Sequence, residues 1–134
     1  MAKYKKKLDA DIRCPLEYGL AIFGGKSGEY PQKLYKALMN SQTVLTVWDD
    51  ARLVGLIRVL DDSEMLAQIH YVLVPPEYQG QGIAGRMVEY IKEKYKNFMY
   101  LELMPEDKNN VPFYEKHGFH VMENGAAMQI CNIN

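Results

Sequence analysis

One stretch, Val74-Pro75-Pro76-Glu77-Tyr78-Gln79-Gly80-Gln81-Gly82-Ile83-Ala84-Gly85, constrains this chain more than any other. A β-rich run ends at Val74, two prolines stiffen the turn that follows, and a helical pattern begins among residues too small to screen their own backbone. The first N–H groups of a helix have no partner within it and carry partial positive charge, so this junction is an anion site. Small residues at Gly80, Gly82 and Ala84 allow phosphate oxygens to reach those amides. A pyrophosphate suits such a loop best.

The elements on either side set the fold class. Tyr4 to Ile12 reads as a short first strand, and Gly24-Gly25-Lys26-Ser27-Gly28 as a break. Leu34, Tyr35, Leu38 and Met39 follow helical spacing from Pro31 to Asn40. Thr43 to Trp48, Leu53 to Leu60 and Leu66 to Val74 are apolar runs parted by the polar turns Asp49-Asp50-Ala51-Arg52 and Asp61-Asp62-Ser63-Glu64, which predicts three antiparallel strands. A helix over Gly82 to Lys96 would bury Ile83, Met87, Tyr90, Ile91 and Tyr95, and Phe98 to Met104 follows as a strand parallel to Leu66–Val74. A short helix from about Val111 to His117 stops at Gly118, and Phe119 to Met122 and Ala126 to Cys131 are predicted as two closing strands. The expectation is an α+β chain around one mixed, mainly antiparallel sheet.

With 134 residues, a 48% hydrophobic fraction and no linker-like run or repeat, a single domain over 1–134 is expected. Sixteen Lys and Arg against seventeen Asp and Glu leave a formal net charge of -1, so neither nucleic acid nor an anionic membrane is required as partner. The basic run Lys5-Lys6-Lys7 is followed by Leu8-Asp9-Ala10-Asp11 rather than by an apolar segment, and no window reaches a membrane span of about 18 residues, so a cytoplasmic location is expected. Cys14 and Cys131 lie near opposite ends without ligand-spaced histidines; no metal is expected, and a disulfide between them is disfavoured in a reducing compartment.

Three phosphate-loop patterns compete for the central stretch. Gly25-Lys26-Ser27 lacks the first glycine of a Walker loop. Gly80, Gly82 and Gly85 match G-x-G-x-x-G, with Glu102 near the acidic position of a dinucleotide fingerprint, yet Pro75 to Gln79 separate the first glycine from the strand. The third pattern, [Q/R]-x-x-G-x-[G/A], is met by Gln79, Gly82 and Ala84. A second element follows in Pro112-Phe113-Tyr114-Glu115-Lys116-His117-Gly118-Phe119. Together these closely resemble the GNAT superfamily of acetyl-CoA-dependent N-acetyltransferases, over roughly Ser41 to Cys131.

The resemblance implies a mixed, mainly antiparallel sheet flanked by helices, with the strands at Leu66–Val74 and Phe98–Met104 splayed to admit the pantetheine arm of acetyl-CoA. It implies coenzyme contacts from Leu73 and Val74, from Gln79, Gly80, Gln81, Gly82, Ile83 and Ala84, and from Asn109. It makes Tyr114 both a coenzyme contact and the acid that protonates the leaving thiolate, where a packing role beside Phe113 and Phe119 is the plainer reading. Asp107 stands where the family has an asparagine, seven residues before Tyr114. For the base that deprotonates the amine, Asp61, Asp62, Glu64 and His70 are open candidates, His70 sharing a strand face with Gln68, Val72 and Val74. Arg86, one turn into the helix, is open between a phosphate contact and a surface residue. The implied activity is acetyl transfer to a primary amine of a small molecule or peptide by direct attack in a ternary complex; a CoA-binding sensor without catalysis is the alternative. A homodimer is compatible with an exposed C-terminal strand.

Overall fold

Apolar runs separated by polar turns become a meander. In the computed structural model, which describes residues 2–5 and 29–133, Ala2–Lys5 (β1), Thr43–Asp49 (β2), Arg52–Asp61 (β3) and Leu66–Leu73 (β4) pair antiparallel in chain order. Tyr100–Leu103 (β5) then pairs parallel with β4, giving the sheet order β1-β2-β3-β4-β5 among the described residues. The expected first strand therefore begins earlier, at Ala2; its expected continuation over residues 6–12, the Gly24–Gly28 break and Cys14 lie outside the described residues.

Pro31–Met39 (α1) opens with proline at its first turn and buries Leu34 and Leu38 against Val44, Trp48, Leu53 and Leu56. Ile83–Lys94 (α2) buries Ile83, Met87, Val88 and Ile91, with Tyr95 buried just beyond. Val88 takes the place expected of Tyr90, which is half-buried: the stripe Ile83, Met87, Ile91, Tyr95 widens on the Val88 side. A Cβ on Gly55 would lie 3.0 Å from Ile83 Cγ2 and 3.2 Å from Met87 Sδ, so this glycine admits α2 close to the sheet. Gly55 and Leu56 are neighbours on β3 and face opposite ways, so α1 and α2 cover opposite sides of the strand.

The chain divides into two compact units, Met1–Leu103 and Met104–Asn134. In the second, a 3-10 turn at Lys108–Asn110 leads into Val111–Lys116 (α3), and Gly118 takes a φ of 92° while its N–H donates to Glu115 O. The two expected closing strands are not formed among residues 119–133. A short apolar run makes a strand only where a neighbouring strand accepts its backbone. Here Met128 and Ile130 remain 93% and 87% exposed. β5 is also shorter than expected, because Phe98 N–H bonds back to Tyr95 O and its ring meets the Tyr95 ring edge-on at 4.9 Å. Cys131 is a free, exposed thiol.

Candidate functional site

β4 is regular for half its length and irregular for the rest. Its pairing with β5 runs from Leu66↔Tyr100 to Ile69↔Leu103, whereas β3 continues to pair with it as far as Leu73. From His70 to Leu73 the β5 side of the strand therefore has no ladder partner among the described residues. On the β3 side the register shifts between Ile57↔Val72 and Val59↔Ile69, so His70 and Tyr71 together face the single residue Arg58. Tyr71 takes a φ of 78°, a costly conformation for a residue with a Cβ, which the flanking ladder enforces.

The bulge changes which side chains share a face. Before it Gln68 and His70 lie on the Leu60 side; after it Tyr71 and Leu73 lie on the Leu56 side, which is the same face of β3. His70 thus shares its face with Gln68 as expected, but Val72 has turned to the other. Arg58, His70 and Tyr71 are gathered on the face that α1 covers, where Tyr71 and Leu73 pack against the Leu34–Leu38 cluster. Arg58 Nε donates to Ser41 Oγ at 2.8 Å, Ser41 Oγ donates to Ala37 O at 2.6 Å, and the guanidinium lies 5.8 Å from the centre of the Tyr71 ring. Arg58 Nη1 lies 2.8 Å from His70 Nδ1. A guanidinium only donates, so Nδ1 accepts and the imidazole proton resides on Nε2. Both ring nitrogens are then committed, and His70 is unsuited to taking a proton from an amine.

The three acidic candidates serve the opposite end of the strand. Asp62 Oδ1 accepts from Glu64 N, Met65 N and Leu66 N, and these bonds hold its carboxyl below the usual carboxylate range. Asp61 accepts from Ser63 N at 2.8 Å and from Tyr95 Oη at 2.6 Å. Glu64 lies in the same turn, before Leu66. The glycine loop follows Leu73, about 23 Å away at ~3.3 Å per strand residue.

The loop itself has the features its sequence implied. A 3-10 turn at Pro76–Tyr78 leads to Gly80 and Gly82, whose φ values of 81° and 83° favour glycine. Among the described residues no side chain caps α2, so the first-turn N–H groups from Ile83 onward are left for another acceptor. A Cβ at Gly80 or Gly82 would meet no atom within 4 Å, so the space over this backbone is open. Gln79 Nε2 donates to Val74 O at 3.0 Å and folds the turn back onto the end of β4. Arg52 pairs with Glu77 and lies 5.1 Å from the Tyr78 ring centre, while Tyr78 Oη donates to Asp49 Oδ2 at 2.6 Å. This brace ties the loop to the β2–β3 turn. It also lowers the Glu77 and Asp49 carboxyls and raises the Tyr78 phenol.

In the second unit, Tyr114 is half-buried on α3 with ring neighbours Phe113 at 5.0 Å and Phe119 at 5.9 Å. Burial raises its phenol above the ordinary value, so it keeps its proton at neutral pH. Its hydroxyl makes no hydrogen bond among the described residues. Asp107 accepts from Asn109 N at 2.9 Å and so caps the 3-10 turn, leaving the Asn109 side chain exposed.

The sequence model of the Acetyltransferase (GNAT) family matches residues 16–119. The chain belongs to that family. An uncharacterized N-acetyltransferase of Bacillus methanolicus is 34% identical over 73 residues, covering 54% of this chain and 58% of that protein. One of Methanocaldococcus jannaschii is 31% identical over 66 residues, covering 46% of this chain and 29% of that protein. The matched stretches thus span less than two thirds of either relative. A solved GNAT-family acetyltransferase of Streptococcus pneumoniae is 26% identical, with a TM-score of 0.79 over 100% of this chain and 98% of its own.

Arg58 and Tyr71, which meet at the bulge, are not among the residues the sequence motifs single out, although a lone cation inside the apolar run Leu53–Leu60 is a visible signal. Nothing in the residues announced the bulge, which is a property of the pairing.

Proposed function

We propose that this GNAT chain transfers an acetyl group from acetyl-CoA to a primary amine of a small molecule or peptide, by direct attack in a ternary complex. The observation that carries this reading is the helix start at Gly82, with open space over two left-handed glycines and no capping side chain. Its unclaimed N–H groups, from Gly80, Gln81, Gly82, Ile83 and Ala84, suit a pyrophosphate, and Gln79 pins the turn that presents them. The side of β4 that β5 leaves unpaired, up to Leu73 and Val74, suits an amide-bearing pantetheine arm, which binds strand edges by backbone pairing. Asn109 adds a contact from its exposed side chain.

Bound acetyl-CoA supplies the acyl thioester. A backbone N–H at the end of β4 stabilises negative charge developing on the carbonyl oxygen. The nitrogen–carbon bond forms, the carbon–sulfur bond breaks, the amine nitrogen loses a proton to solvent, Tyr114 gives its proton to the departing sulfur, and the phenolate left behind regains a proton from solvent. The assignment of Tyr114 rests on its motif, its retained proton and its unclaimed hydroxyl. Tyr114→Phe is expected to lower kcat by about a hundredfold with CoA affinity retained, measured by thiol release and by calorimetry. An unchanged kcat removes Tyr114 from the reaction. Thermal stabilisation by NAD and not by CoA would overturn the coenzyme assignment.

A further inference from the structure

We infer that Arg58, at the β4 bulge, binds the carboxylate of an amine acceptor, so that this chain acetylates small amines that carry a carboxylate, such as amino acids. The inference deepens the proposed function and rests on the reading that the end of β4 receives the acetyl group. Three observations carry it.

Arg58 is half-buried, yet no carboxylate pairs with it among the described residues. Arg52, the more exposed arginine on the same strand, has Glu77. Taking a guanidinium partly out of water is unfavourable unless an anion compensates, and Arg58 has only the neutral partners Ser41 and His70 and the face of Tyr71. Two of its five N–H donors are used, which leaves a planar group able to grip a second, planar anion.

The surroundings fix its place. Ser41 anchors Nε, Tyr71 supports one face, and His70 holds Nη1 at the exposed side of the bulge, so the head group is preorganised and reachable from solvent. The bulge lies two residues before Leu73, about 7 Å along the strand. That separation suits an amine and a carboxylate on one small molecule. One fixed cation is matched by one negative charge, which favours a carboxylate over a phosphate.

The experiment compares the common amino acids with their decarboxylated amines, using CoA-saturated full-length chain. Phenylglyoxal modification of Arg58, mapped by peptide mass, reads occupancy without turnover. Amino acids are expected to slow it about tenfold, while the decarboxylated amines leave it unslowed. Equal protection by both sets, or stronger protection by phosphoethanolamine, overturns the carboxylate site. With acetyl-CoA, the ratio of kcat/KM for an amino acid over its decarboxylated partner should fall about tenfold in Arg58→Gln and stand between the two in Arg58→Lys. A ratio unmoved by both substitutions also overturns it. Selective protection without thiol release from any amine would uphold the site while sinking the transferase reading.

Discussion

The two ends of β4 are built from one strand and do opposite things. From Leu66 to Ile69 it is paired on both sides, with β3 and with β5, and the turn before it closes on Asp62 through three backbone bonds. Asp61 there takes the Tyr95 hydroxyl, itself 2.7 Å from Thr43 Oγ1. From His70 to Leu73 it is paired, among the described residues, on one side only, interrupted by a bulge, and followed by prolines and two left-handed glycines. Satisfied polar groups hold the first end together. At the second, main-chain donors and a guanidinium are left over, and leftover donors are what a ligand can use.

Three substitutions break or sharpen this contrast. Gly82→Ala, at the second end, places a methyl group in the open space over the helix start. It is expected to weaken CoA at least tenfold, about 1.4 kcal/mol, by calorimetry; an unchanged affinity would remove the loop as the phosphate site. Tyr95→Phe, at the first end, deletes a buried hydroxyl bonded to Asp61 and Thr43. It should cost about 1 kcal/mol of stability in denaturant melts, with CoA affinity unmoved. Burial, then the bond to Asp61, pushes the Tyr95 phenol from 10.0 up to about 12. Its protonated form is therefore favoured by folding. That stabilisation is complete below pH 10, is lost as pH climbs from 10 toward 12, and is missing from Tyr95→Phe throughout.

The smallest effect is expected from Asp62→Asn, which retains an acceptor oxygen but loses the charge. The folded carboxyl lies below 3.8, so its contribution is present above that pH and fades as pH falls toward the folded value. The variant should melt slightly lower at neutral pH and lose its disadvantage in acid. An equal deficit at both pH values would show that charge is irrelevant to the turn.

The sequence by itself determined the elements whose causes are local. The polar turns, the α1 and α2 stripes, the glycine loop and the Gly118 stop were legible because proline, glycine and apolar spacing act within a few residues. What only the tertiary structure decided depends on partners far along the chain. Residues 126–131 are mostly apolar, as a strand can be, yet among the described residues no neighbouring strand accepts them, and Met128 stays exposed. The bulge that brings His70 and Tyr71 onto the face of Arg58 is a register between β3 and β4, and a one-residue shift in pairing leaves no trace in either strand's own residues. Tyr95, Asp61 and Thr43 meet for the same reason: side-chain hydrogen bonds need a geometry that only packing of the helix against the sheet supplies.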